Sequence, residues 1–465
     1  MSSLLEESTT AASPQVVWLD DALRPDGLPP LRGGVSTDLL VVGGGYTGLW
    51  TALRALERHP SRRIVLLEAG RCGEQASGRN GGFVEPSLTH GHANGAARWP
   101  GDMATLDRLA RENFTGMELD AHTFPVDASF ERVGELHVAT REHEVQELED
   151  EHTARTAAGH RVRLLDRGQT RSLVDSPTYL AGLLDPDVAL VEPARLAWGL
   201  RAALLEAGVE IFEQSPVQRL EATAGGVRAY TDAGRVDAEQ VVLATNAFPP
   251  LLRRLRLWTV PVYDYVLATE PLDSEHRAAL GWEGRQGVGD SGNLFHYYRL
   301  THDDRLVFGG YDAVYRYGSR ISPEIEQSGR THAVLAQHLA ETFPALADVR
   351  IGHRWAGVID TSTRFTAFYG TAHRGRTAYA LGFTGLGVAA TRFAADVVLD
   401  LLSGEETERT SLEMVRHRGW PFPPEPVRSA GINLTRWSLE RADRNEGRRN
   451  AWLRALDAAG LGFDS

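Results

Sequence analysis

Three glycine-rich stretches carry the residue types suited to holding a phosphorylated ligand against bare backbone. The first is Gly43-Gly44-Gly45-Tyr46-Thr47-Gly48, between an apolar run ending at Val42 and an apolar-periodic stretch that begins at Leu49. Gly43 and Gly45 permit a tight turn and close approach of a pyrophosphate. Gly48 lets helix pack on strand, and the helix start favours negative charge. Glu68 ends the next apolar run, 20 residues after Gly48, where its carboxylate can accept both ribose hydroxyls of a dinucleotide. The same bare pattern occurs in "GVGDSG" at 287–292, but without a flanking strand and helix it reads as a turn. The second stretch is "QASGRNGGFV" at 75–84, and the third "GFTGLGV" at 382–388. In the third, Phe383, Gly385 and Gly387 break a strand, and a helix is expected from about Leu386. Its N–H groups and dipole would stabilise the electron-rich edge of a reduced flavin. A nicotinamide-binding chain should continue from Glu68 into a compact βαβαβ unit. Here a glycine–arginine loop and a long insertion follow instead, so FAD is the expected dinucleotide.

The elements that must position these turns are interleaved. "TDLLVVGGGYTGLWTALRALERHPSRRIVLLEAG" reads strand, glycine turn, helix, strand. Nucleotide-binding pieces are expected at 37–90, 186–256 and 350–403, with parts of a β-rich substrate domain at 91–185 and 257–349. An irregular lead-in covers 1–36, a helix covers 323–342, and a helical extension at 404–465 carries the proline hinge "WPFPPEP" and an arginine-laced amphipathic end. That end reads as a helix closing the protein's own core. The fold class is α/β (α+β), with a discontinuous Rossmann-like domain threaded through a β-sheet domain.

Composition removes several function classes. The chain has 49 basic residues, all arginine, so neither a lysine Schiff base nor a Walker-A lysine is available. Cys72 stands alone, which excludes internal disulfides and cysteine-rich metal sites. Four residues beyond Glu68, it reads as a buried thiol, so FAD is expected to bind non-covalently and no metal is expected. A net charge of −13 argues against a nucleic-acid or anionic-membrane partner. No signal peptide and no apolar run of spanning length is visible, and a cytoplasmic location is expected. Oligomeric state is not readable.

From about residue 37 to 402, "VVGGGYTGL", "EAGRCGEQASGRNGG", "HYYRLTHDDRLVFGG", "RWAG" and "GFTGLGV" resemble D-amino-acid-oxidase-type FAD oxidoreductases, most closely the γ-glutamylputrescine oxidase branch. The resemblance implies a discontinuous FAD domain and a substrate sheet facing the flavin. It places cofactor contacts on Gly43, Gly45, Tyr46, Thr47, Gly48 and Glu68, and on the loop Ser77, Gly78, Arg79, Asn80, Gly81 and Gly82. Further contacts fall on Thr245, Gly357, Phe383, Gly385, Leu386 and Gly387. It implies that the 77–82 loop lies against the isoalloxazine, where a Cβ would collide.

Two departures matter. Amino-acid-oxidising relatives carry an arginine shortly after Trp-Ala-Gly that grips the substrate α-carboxylate, and here Ile359 and Asp360 stand there. The expected substrate is therefore an amine without an α-carboxylate, oxidised at its C–N bond to an imine that water hydrolyses. Arg354 or Arg364 could replace the missing arginine, which leaves an amino-acid oxidase as the alternative; a non-catalytic flavin protein is a further one. The lysine that activates oxygen in sarcosine oxidases is also missing, so the acceptor is O2 or another oxidant.

An amine awaiting deprotonation suits an aromatic cage. "PVYDYV" and "FHYYRL" offer Tyr263, Tyr265, His296, Tyr297, Tyr298 and Arg299. Strand alternation puts His296 and Tyr298 on one face, Tyr297 and Arg299 on the other, without saying which meets the flavin. His296, Tyr298 and Tyr265 are taken as the catalytic candidates, and Tyr263, Arg299, Arg354 and Asp360 as substrate-binding candidates.

Overall fold

A computed structural model describes residues 4–462. Strand Gly33–Val42, helix Tyr46–Arg58 and strand Ile64–Leu67 form a parallel βαβ unit, with Leu39–Val42 opposite Ile64–Leu67. Both strands are apolar without alternation because both sheet faces are covered. On one face lie Leu49 and Trp50 with Val397 and Val398 of helix Gly387–Ser403; on the other are Leu40, Val65 and Leu243. The eight-stranded sheet runs Phe368–Ala372, Thr377–Leu381, Gly234–Leu243, Gly33–Val42, Ile64–Leu67, Glu210–Phe212, with Val227–Tyr230 paired to Gly234–Leu243 and Arg219–Ala222 paired in turn to Val227–Tyr230.

The second sheet has nine strands: Val314–Tyr315, Val260–Thr269, Leu306–Gly310, His296–Leu300, Gly287–Asp290, Glu135–Ala139, Ala181–Asp185 and Arg163–Leu165, with Ile351–Thr361 paired to Val260–Thr269. Tyr265, Tyr298, Phe308 and Trp282 fill a core beneath it, against Leu335 and Leu339 of helix Gly329–Thr342.

Several boundaries differ from the sequence reading. The lead-in holds a helix, Leu4–Ala11, whose Leu5 is buried in the second core, and the first sheet strand starts at Gly33. So short a helix rests on tertiary packing, which local periodicity does not reveal. Within 91–185, helix Met103–Ala121 packs Leu106, Phe114 and Met117 into the nucleotide-side core, while the three strands join the other sheet. Within 350–403, Ile351–Thr361 belongs by pairing to the nine-stranded sheet. The helix expected over 323–342 is two, Pro323–Glu326 and Gly329–Thr342. "GVGDSG" is no turn at its start: Gly287–Asp290 is a strand, parallel to Glu135–Ala139. Glycine is needed there because a Cβ on Gly287 would lie 2.2 Å from the Phe83 ring. The tail is helical at Val427–Asp443 and Ala451–Ala458.

Candidate flavin and substrate site

The first and third glycine turns open onto one cavity of about 710 Å³, lined by Gly45, Tyr46 and Thr47 from one and Phe383 to Gly387 from the other. Helix Tyr46–Arg58 starts after Gly45 and helix Gly387–Ser403 after Leu386, and neither N-cap residue caps its helix with its own side chain. Two sets of first-turn N–H groups with their positive dipole ends thus border the same space. Gly43 and Gly48 lie behind it. A Cβ on Gly43, at φ +114°, would lie 2.3 Å from the Ala244 carbonyl, and one on Gly48 would lie 1.9 Å from the Gly43 carbonyl. By contrast, nothing in the protein lies within 4 Å of where a Cβ on Gly387 would stand. The buried Oδ1 of Asn246, on the cavity wall, has no hydrogen-bond partner. Two helix starts, an open glycine and an orphaned amide oxygen suit FAD.

Glu68 holds the first turn together. Its two oxygens accept the N–H groups of Gly44 (2.6 Å) and Gly70 (2.7 Å), while burial raises its pKa and those bonds oppose the rise. Glu68 itself does not line the cavity, although each of its oxygens keeps a further lone pair. Thr245 does not line the cavity, although its neighbours Ala244 and Asn246 do; its carbonyl closes a turn with Phe248 N–H.

The 75–84 loop contributes Ala76, Ser77, Arg79, Asn80 and Gly81 to the wall. Its glycines answer to protein neighbours. A Cβ on Gly78 would stand 2.2 Å from Gly73 O, one on Gly81 2.6 Å from the Tyr297 ring, and one on Gly82 2.3 Å from Val191 O. Ser77 Oγ accepts Tyr46 N–H at 2.9 Å. Asn80 Nδ2 donates to Ala76 and Ser77 carbonyls, and its own carbonyl receives the Trp18 indole N–H at 2.9 Å. Arg79 is ion-paired with Glu326 (2.6 Å), and Gly357 lies beside it on the cavity wall.

The structure turns the other face of strand His296–Leu300 to the cavity. Gly81 and Gly309 leave room for the Tyr297 ring, so Tyr297 lines the site and donates its hydroxyl to Asp264 Oδ2 at 2.5 Å. Tyr298 points away into the second core, stacked on Phe308 and bonded to the Tyr179 hydroxyl at 2.7 Å. His296, also off the cavity, is held by Asp290 Oδ2 (2.6 Å) and His338 Nδ1 (2.9 Å). Tyr265 gives its hydroxyl to Ile325 O, whereas Tyr263 does line the cavity, its hydroxyl accepting Ser322 N–H. Arg299 is buried beneath the loop and donates to Val191 O (2.6 Å) and Gly81 O. Arg354 lies off the cavity, on a strand whose backbone N–H at that residue bonds Ser13 O. Asp360 borders the cavity but spends its carboxylate on the glycine turn, accepting Gly382 and Phe383 N–H; burial raises its pKa to about 7.

Asp264, opposite Gly357 in register, is the carboxylate beneath Tyr297, and burial raises its pKa to about 6 against the Tyr297 hydrogen bond. Two features escaped sequence reading. Glu85 and Glu135 both line the cavity; a charge directly after the apolar "FV" was the one visible signal. The tail walls the same space with Trp420, Phe422, Ile432, Leu439 and Trp452. Apart from the cavity, His160 Nε2 and His92 Nδ1 flank Asp107 Oδ2 at 3.3 and 3.8 Å. Among the described residues no helix is long and apolar enough to cross a membrane.

The model of the DAO family, described as FAD dependent oxidoreductase, matches residues 38–401. The γ-glutamylputrescine oxidoreductase of Escherichia coli K12 is 32% identical over 84% of this chain and 89% of its own length. A probable oxidoreductase, OrdL, from Haemophilus influenzae is 29% identical over 85% and 89%. Among solved structures, glycine oxidase from Geobacillus kaustophilus superposes with a TM-score of 0.69 at 20% identity, covering 82% of this chain and 99% of that one.

Proposed function

This chain belongs to the DAO family of FAD dependent oxidoreductases, and from that premise we propose that it oxidises the C–N bond of an amine lacking an α-carboxylate. The products are an aldehyde or ketone and an amine or ammonia. When bound, FAD supplies the acceptor for the hydride lost from the carbon beside nitrogen. The imine is then hydrolysed by water.

The observation that carries this reading is the state of the arginines. Arg364, one candidate carboxylate anchor, is buried and gives its guanidinium to the carbonyls of His417, Ala367 and Met414. Arg354, the other, stands off the cavity. The four arginines on the wall are each ion-paired: Arg79 with Glu326, Arg428 with Glu425, Arg436 with Asp312 and Arg449 with Asp457. A substrate carboxylate would have to break one of these pairs.

Asp264 and Tyr297 are the pair suited to the proton. With a pKa near 6, Asp264 is ionised at neutral pH and can accept a proton from the substrate ammonium, while Tyr297 fixes its Oδ2. Tyr311 adds aromatic surface to the same cavity, and the apolar tail wall excludes water. The name of the E. coli relative supports an amine substrate. The test is anaerobic flavin reduction across amines, glycine, sarcosine and small D-amino acids. Faster bleaching by amines is expected; preference for an α-amino acid would overturn the reading.

A further inference from the structure

Two histidines meet one aspartate on the far side of the wall from the cavity chemistry. We propose that His92, Asp107 and His160 form a binding site for a zinc-type divalent cation, which clips three segments of the chain together.

The three residues come from separate elements, and none of them lines the cavity. His92 opens helix His92–Arg98, directly after Gly91 at φ +89°. Asp107 stands in the second turn of helix Met103–Ala121, whose Leu106 and Phe114 are buried in the nucleotide-side core. His160 follows helix Glu142–Ala157. Gly159, at φ +85°, turns the chain there, and the His160 N–H closes the turn on Arg155 O. Both histidines are thus presented by turns whose left-handed backbone costs glycine little.

The ligand atoms already converge. Asp107 Oδ2 lies 3.3 Å from His160 Nε2 and 3.8 Å from His92 Nδ1, and all three atoms lie within 4.8 Å of one another. Tetrahedral zinc, with bonds of about 2.0–2.2 Å, needs its donor atoms about 3.3–3.6 Å apart. One spacing is met and a second is slightly long. The imidazoles, edge-on with centroids 5.5 Å apart, close the third by a small rotation. At 3.8 Å the His92–Asp107 contact is too long for a hydrogen bond, and the buried Nδ1 makes none elsewhere. An ion between nitrogen and carboxylate bonds both at once.

Burial lowers the His92 pKa against the pull of Asp107, so its ring is neutral at pH 7 and can offer the Nδ1 lone pair. Arg155, a cation that His92 also senses, is ion-paired with Asp185 and Glu151. Two imidazoles and one carboxylate favour zinc over calcium or magnesium, and water completes the tetrahedron. A single cysteine bars thiolate-rich sites and leaves a histidine–carboxylate site open. The clip would join both halves of the fold. His90, two residues before His92, has its Nε2 3.1 Å from Thr384 O in the third glycine turn, while His160 leads into strand Arg163–Leu165 of the nine-stranded sheet.

The test uses the FAD-loaded full chain, stripped with EDTA and then freed of chelator. Calorimetric titration with ZnCl2 should show one tight equivalent, and circular dichroism should show a melting midpoint raised by zinc. Asp107→Asn and, separately, His160→Ala should weaken that binding by at least about 10- to 100-fold, the cost of losing merely a ligand's outer partner. Both should also lose the zinc-dependent rise while staying yellow and being reduced by amines at the wild-type rate. Calcium and magnesium chloride should leave the zinc isotherm unchanged. No zinc uptake by the wild type, displacement by calcium, a midpoint that zinc does not move, or an equivalent retained in both variants overturns the proposal. If Asp107→Asn does not fold, the His160→Ala isotherm decides.

Discussion

Gly387→Ala separates what the protein needs from what its cofactor needs. The residue opens helix Gly387–Ser403, and a Cβ there meets no protein atom within 4 Å. In the cofactor-free chain the substitution should therefore stabilise the fold by about 0.4–1 kcal/mol, because alanine restricts the unfolded state. Yet Gly387 lines the cavity between the two helix starts, where FAD is expected to lie. A methyl group pressed against a bound ring is overpacking, worth about 1–3 kcal/mol. At about 1.4 kcal/mol per tenfold, that weakens FAD binding about 5- to 140-fold. The assay pairs fluorescence titration of the cofactor-free protein with FAD and urea unfolding of the same preparation. Gly81→Ala is the contrast: its Cβ would stand 2.6 Å from the Tyr297 ring, so the cofactor-free fold itself should weaken. Gly387→Ala protein that binds FAD as tightly as wild type, or that loses stability as Gly81→Ala does, would refute the placement.

Tyr297→Phe removes the hydroxyl that lowers the Asp264 pKa, so the acid limb of flavin reduction by an amine should move to higher pH from about 6; stopped-flow pH profiles check it. Arg299→Met takes a donor from the Val191 and Gly81 carbonyls under the loop, and urea unfolding should report a loss of about 1–3 kcal/mol. Asp360 has its folded pKa raised from 3.8 to about 7, so its contribution is fully present below about 4 and lost as pH rises through about 7. Unfolding midpoints of wild type should accordingly fall relative to Asp360→Asn across that interval.

Site residues separated cleanly by the kind of information that specifies them. The βαβ unit at 33–67 follows from apolar runs and glycines a few residues apart, and its context made the dinucleotide readable. The aromatic strand was readable only to the level of two faces. Alternation groups Tyr297 with Arg299 and His296 with Tyr298; the small residues Gly81 and Gly309, from two other segments, decide which face meets the cavity. The amphipathic pattern of the tail points to a core-closing helix, and it does bury Leu453 beside Ala442, but Trp452 also walls the cavity.

Local pattern by itself settled that this chain builds nucleotide-binding βαβ structure, that it can use no lysine chemistry, and that glycine turns frame a phosphorylated ring system. Such features depend on neighbours within a few residues, where backbone sterics and side-chain periodicity act. Tertiary structure alone decided that Glu85 and Glu135 border one cavity, that Asp264 lies beneath Tyr297, and that the glycines of the 78–82 loop are demanded by Gly73, Tyr297 and Val191. Burial, orphaned oxygens and charge balance are properties of surroundings drawn from distant segments, and no local period encodes which of those segments will face a given side chain.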